Sequence, residues 1–179
     1  MPPKFLIDRA NDVQVVFDLG AYGGYTALDL ADVFPRALVV AVEADPETYK
    51  LLCRNAERCA RIFPINAAVW DADVDVFFNQ ENAPNGRHVQ ALGGLVVPGR
   101  SVASIREELG FNVIDYVKMD IEGSEEAVSR TDLSFVQCIN VEVHFDFTDL
   151  LTVATNLAKS GIACSPHWKA SDALIGWRW

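Results

Sequence analysis

The chain has 179 residues, half of them hydrophobic, and a formal net charge of -10. That apolar content supports a packed core and excludes a disordered chain. The acidic balance argues against a nucleic-acid backbone as the main partner, since such surfaces need clustered Lys and Arg, and suits a neutral or cationic small ligand.

The length suits a single domain over residues 1–179. The opening MPPKFLIDRA lacks the apolar run of a signal peptide, and no stretch approaches the roughly 18 apolar residues of a membrane span. Cys53, Cys59, Cys138 and Cys164 form no C-x-x-C pair, so no zinc ribbon or thioredoxin-like site is indicated. These features lead to the expectation of a cytoplasmic protein with reduced thiols and Cys138 in the core.

In chain order, VQVVFDLG reads as a short buried strand. Ala27, Leu28, Leu30, Ala31 and Phe34 then trace a helix face that Pro35 ends. ALVVAVEAD is a second strand. Asp45 follows as an N-cap with Pro46 at the first helical position, and Tyr49, Leu52, Cys53 and Ala56 form the stripe of the next helix. RIFPINAAVW reads as a third strand, with VDVFFNQ a shorter one nearby. Residues 80–100, rich in Gly, Pro and Asn, read as one long irregular stretch, a place where function often resides.

SVASIREELG is a short helix closed by Gly110, and VIDYVKMDIEG the next strand. Ser124 reads as the cap of the helix SEEAVSR, CINVEVHF as another strand, and TDLLTVATNLAKSG as a helix capped by Thr148 and stopped by Gly161. IACSPHW and DALIGWRW close the chain as a hairpin. Strands alternating with helices predict an α/β fold, a doubly wound, mostly parallel sheet covered on both faces.

Ligands of such sheets bind at the carboxyl ends of the strands, which directs attention to the first turn, VFDLGAYGGYT. A dinucleotide fold requires G-x-G-x-x-G, but Tyr22 stands where the second glycine must admit a pyrophosphate. Asp18, two residues before Gly20, repels phosphate and attracts an ammonium group. The pattern Asp18-x-Gly20-x-x-x-Gly24 therefore suits S-adenosylmethionine, which is cationic and carries no phosphate. Read blandly, it is a glycine turn with a solvated Asp. Glu43 ends the second strand, where a carboxylate can accept hydrogen bonds from two ribose hydroxyls. Asn66 and Ala67 end the third strand, where an adenine edge would lie, although Asn66 reads equally as a turn residue.

Two later strands end with unusual polarity. Lys118, Asp120 and Glu122 share a face by alternation, as do Asn140, Glu142 and His144. Charges at neighbouring strand ends imply a cleft or ion pairs. His144 is the candidate general base, Asp120 a group that orients the acceptor or holds the cofactor's ammonium, and Glu142 a partner for His144. Glu122 reads more readily as a helix cap or partner of Lys118 than as a metal ligand, so no metal is expected. Arg87 and His88 read as solvated loop residues, and His167, Trp168, Trp177 and Trp179 as an aromatic surface for core or homodimer packing.

VFDLGAYGGYTAL, VVAVEADPETYKLLCRNA, INAAVWD, IDYVKMDIEGSEEAV and INVEVH together resemble the FkbM-type family of S-adenosylmethionine-dependent methyltransferases over most of residues 15–144. The resemblance implies a Rossmann-like sheet of about seven strands with the last antiparallel. It implies methyl transfer to a hydroxyl of a small molecule or sugar. It also places Asp18, Gly20, Tyr22 and Gly24 at the cofactor loop, Glu43 at the ribose, Asn66 and Ala67 near adenine, and Asp120 near the methionine end and the acceptor. Tyr22 and Gly23 depart from the family's usual Asn and apolar residue, and the Leu-Asp pair that often precedes the DxEG strand is missing. Transfer to nitrogen, to protein or RNA, or a cofactor-binding subunit without catalysis are the alternatives.

Overall fold

The structure is a computed structural model that describes residues 2–79, 88–90, 94–167 and 170–178. Arg87, Trp168 and Trp179, and most of the stretch read as irregular, lie outside the described residues.

Strands β1 (Val15–Leu19), β2 (Leu38–Glu43) and β3 (Ile62–Asn66) alternate with helices α2 (Tyr25–Val33) and α3 (Pro46–Ala56), after a short α1 (Lys4–Ile7). Then come β4 (Ala68–Val69), β5 (Asp75–Phe78), β6 (Val89–Gln90), β7 (Leu95–Arg100), α4 (Val102–Glu108), β8 (Tyr116–Met119), α5 (Glu125–Ser129), β9 (Cys138–Glu142), α6 (Leu150–Lys159), β10 (Ala163–Pro166) and β11 (Ala173–Trp177). The main sheet has seven strands in the order β10-β11-β9-β8-β1-β2-β3. All neighbours are parallel except β11, which runs antiparallel to both β9 and β10. The order reverses direction at β1, so the turns after β1 and β8 open side by side.

Alternation sorts the strand residues onto two faces. Phe17, Leu19, Val40, Val42, Val117, Met119, Ile139 and Val141 pack with Val102, Ile105, Val128, Val153 and Leu157 of α4, α5 and α6. Val16, Val39, Ala41, Tyr116 and Cys138 pack with Ala27, Leu30, Ala31, Leu52 and Ala56 of α2 and α3. Helix α2 ends at Phe34, before Pro35, and Arg61 satisfies carbonyls at and beyond its end, with Nη1 donating to Phe34 and Ala37 and Nη2 to Ala31.

The structure corrects three expectations about elements. The third strand is two, β3 in the main sheet and β4 in a second, four-stranded sheet ordered β4-β7-β5-β6. Residues 95–100, read as irregular, are β7, antiparallel to β5; Val97 points inward while Val96 and Pro98 face out. Pro98 and Gly99 disguised that alternation. Asp149, not Thr148, caps α6, its Oδ1 accepting the amides of Leu151 and Thr152.

Candidate active site

The turn after β1 is fixed by backbone chemistry. The amides of Gly20 and Ala21 both donate to the carbonyl of Val42, and Asn55 of α3 donates to the carbonyl of Gly23. Gly20 has φ +77°, and a Cβ there would stand 1.8 Å from the carbonyl oxygen of Asp120. The β1 and β8 turns therefore meet at a position only glycine can occupy. Gly24, at φ +81°, would place a Cβ 2.6 Å from Leu52 and serves helix packing.

Glu43 ties the turn to α3. Its Oε2 accepts the amide of Tyr22 at 2.8 Å and its Oε1 the amide of Asp45 at 2.9 Å. Asn66 braces the end of β2 by donating to the carbonyls of Glu43 and Ala44. A cleft of about 230 Å³ opens above these groups, with Gly20, Tyr22, Glu43, Ala67, Asp120 and Ser124 among its walls. Asp18, Gly24 and Asn66 are not among its lining residues.

Asp18 faces inward, and its side chain has no exposed surface. Lys118 Nζ stands 3.6 Å from its Oδ1, an ion pair longer than a hydrogen bond. Burial raises the Asp18 pKa to about 6, although Lys118 pulls it the other way. The same ammonium donates to the carbonyl of Gly20 at 3.2 Å and to Asp120 Oδ2 at 3.1 Å. Asp18, expected at a ligand, thus lies behind the cleft, with Lys118 between it and the glycine turn.

β8 ends at Met119, so strand alternation does not carry Glu122 onto the face of Lys118 and Asp120. Glu122 instead takes φ +37° in the turn and lines the cleft. Ser124 sits at the start of α5 without a side-chain capping bond; its buried Oγ and Glu122 Oε2 have no hydrogen-bond partner among the described residues.

His144 lies just past β9. Its Nδ1 donates to Oε1 of Glu125 at 2.5 Å, and its Nε2 is 3.7 Å from Asp120 Oδ1. Glu125, wholly buried, also accepts the amide of Gly123. The bond to Glu125 raises the His144 pKa to about 9, against the effect of burial and with help from Asp120 and Glu122. Burial and then Asp120 raise that of Glu142. Glu125, not Glu142, orients His144. The sequence signal for it was present in the SEEAV helix start but was absorbed by the reading of that segment as a cap.

A second hollow of about 190 Å³ adjoins this group, lined by Lys118, Asn140, Glu142, His167 and Asp172 among others. Asp120 lines the first cleft and Lys118 this hollow, and the two side chains hydrogen-bond one another.

Residues 18–159 match the model of the methyltransferase FkbM domain. The chain belongs to the FkbM methyltransferase family. No curated protein is similar enough in sequence to match it. Among solved structures it is similar to a putative caffeoyl-CoA O-methyltransferase from Staphylococcus aureus, at 9% identity and a TM-score of 0.58, covering 100% of this chain and 85% of that one. It is similar to precorrin-6y C5,15-methyltransferase from Geobacter metallireducens, at 15% identity and TM-score 0.52, covering 98% and 87%. It is also similar to Aeropyrum pernix fibrillarin with natively bound S-adenosyl-L-methionine, at 16% identity and TM-score 0.55, covering 93% and 67%. At such identities the likeness speaks for a shared fold. This FkbM methyltransferase uses S-adenosylmethionine.

The cleft fits that cofactor on its own terms. It holds a carboxylate at each of two strand ends, Glu43 and Asp120, a glycine turn without bulk, and the orphaned hydroxyl of Ser124. Among the described residues no helix is long and apolar enough to cross a membrane.

Proposed function

We propose that the protein methylates a hydroxyl of a small molecule or sugar. The observation that carries this reading is the junction at Asp120, where the cofactor cleft meets a polar centre of Asp120, Glu142 and His144 beside a second hollow. S-Adenosylmethionine, when bound, supplies a methyl group on a sulfonium, an electrophile that needs an aligned acceptor.

Glu43 is the group to hold the ribose hydroxyls, because it is a carboxylate at the end of β2 that lines the cleft. Gly20 and Tyr22 form the loop against the cofactor, Ala67 the small wall for adenine, and Asp120 the anionic neighbour of the methionine end. Asp18, Gly24 and Asn66 support them from behind. The second hollow receives the acceptor. Its carboxylates, Glu142 and Asp172, disfavour an anionic acceptor such as a nucleic-acid backbone and accept hydrogen bonds from hydroxyls.

The expectation that His144 is a free base at neutral pH changes. With a pKa of about 9 its ring is a cation at pH 7. Its part is to hold the acceptor's oxygen, while Asp120 and Glu142 orient the hydroxyl and take its proton as the methyl group is transferred.

A transfer screen with tritiated S-adenosylmethionine over polyols, amines, peptides and RNA tests the proposal. Label in the hydroxyl compounds alone is expected. Label only in amines, peptide or RNA overturns it, and cofactor binding without label in any acceptor replaces it with a non-catalytic binding role.

A further inference from the structure

We propose that Asp120, Glu142 and His144 form a divalent-cation site, with Lys118 and Glu125 fixing two of the three ligands from behind. One ligand atom from each of the three lies within 4.8 Å of the others. Oxygen and nitrogen ligands stand about 2.0–2.2 Å from a small divalent ion, so three ligands of one ion are about 3.0–3.5 Å apart. His144 Nε2 and Asp120 Oδ1, at 3.7 Å, are near that spacing already, and the group closes on an ion by side-chain shifts of less than about 1 Å.

The set is two carboxylates and an imidazole, which together neutralise a dication and suit Mn²⁺, Zn²⁺ or Fe²⁺ better than Ca²⁺. Glu122 takes no part in it, because it is turned into the cofactor cleft.

What separates this group from a chance cluster of acids is the way its members are held. A ligating histidine needs its second nitrogen anchored. Nδ1 of His144 is anchored on Glu125, a carboxylate with no exposed surface that is itself held by the Gly123 amide, and Nε2 is left facing Asp120 Oδ1. Asp120 is divided in the same way: Oδ2 is taken by Lys118, and Oδ1 faces His144. Lys118 is in turn fixed on the Gly20 carbonyl and beside buried Asp18.

The third ligand, Glu142, borders the second hollow, which leaves coordination positions open to water or an acceptor oxygen, as in catalytic rather than structural sites. Because Asp120 also lines the cofactor cleft, a hydroxyl on the ion lies next to the cofactor, and the ion lowers the pKa of that hydroxyl.

The test needs no acceptor, so it stands apart from the choice of substrate above. The whole chain, stripped with chelator, is titrated with Mn²⁺, and the free ion is followed by electron paramagnetic resonance. One ion per chain in the micromolar range is expected. Glu142→Gln, at an exposed position that does not endanger folding, should weaken binding at least tenfold. Glu125→Gln, which reaches the ligands only through His144, should weaken it about 10–100-fold. Asp8→Asn, on the exposed surface far from the site in sequence, should leave it unchanged. Binding by none of Mn²⁺, Zn²⁺ or Fe²⁺ below about 1 mM, or equal binding by wild type and Glu142→Gln, overturns the proposal.

Discussion

Nδ1 of His144 and Oε1 of Glu125 lie 2.5 Å apart, and the carboxylate that completes this contact has no exposed surface. The pair joins the loop after β9 to the first turn of α5, and so locks the two chain segments that flank the acceptor side of the site. A buried carboxylate is tolerated only while it is paired and hydrogen-bonded. Glu125 meets that condition through His144 and the Gly123 amide.

Truncation of Glu125 to Ala should therefore cost about 2–4 kcal/mol, toward the lower part of the range for a broken buried pair because His144 is partly exposed and can be solvated. For a chain of this size the melting temperature should fall by about 4–16 °C. Thermal unfolding checks this against Lys4→Ala, which removes an exposed pair with Asp8 and should change the melting temperature little. Equal, small effects would mean that the buried pair contributes no more than a surface one.

Gly20 and Gly110 both have positive φ, +77° and +74°, but only Gly20 has another chain segment against it. Gly110→Ala should cost only the conformational penalty of about 1–2 kcal/mol. Gly20→Ala adds an atom 1.8 Å from the Asp120 carbonyl and should cost more than about 3 kcal/mol and abolish cofactor binding. Denaturant unfolding of the two variants separates them; equal costs would remove the close approach of the two turns as the reason for the glycine.

Asp18 gives a pH signature. Burial raises its folded pKa from 3.8 to about 6, so between these values the native state holds a proton that the unfolded chain has lost. The contribution of Asp18 to stability therefore falls as pH rises from about 4 through 6, by up to about 3 kcal/mol. Asp18→Asn stays uncharged throughout. The melting temperature of the variant minus that of the wild type should increase from about pH 4.5 to 7 and then level off. A difference that is flat with pH would contradict the buried, weakly paired carboxylate.

The parallel core of the sheet was legible because each strand is a valine-rich run followed by a helix stripe and a cap, as with Leu38–Glu43 and Asp45. β7 was not, because Pro98 and Gly99 carry turn signals while sitting in a strand. At the site, the sequence placed Gly20, Tyr22, Glu43, Ala67 and Asp120 at strand ends, and the fold brings all five to one cleft. It could not tell which way Asp18 points: strand parity assigns a face, and only the packing of α2 and α3 makes that face the interior. Glu125 was hidden for a related reason. Its partner His144 is 19 residues away in the chain, and only the packing of α5 beside the end of β9 brings them together.

The central claim is that the cleft spanned by Glu43 and Asp120 holds S-adenosylmethionine. Calorimetric titration of the wild-type protein and of Glu43→Gln with that cofactor tests it most directly. Wild type should bind one equivalent, and the variant, which loses charge-assisted hydrogen bonds worth about 1.5–3 kcal/mol, should bind about 10–100-fold more weakly. No binding by the wild type at millimolar cofactor, or equal affinity in the two proteins, would contradict the account.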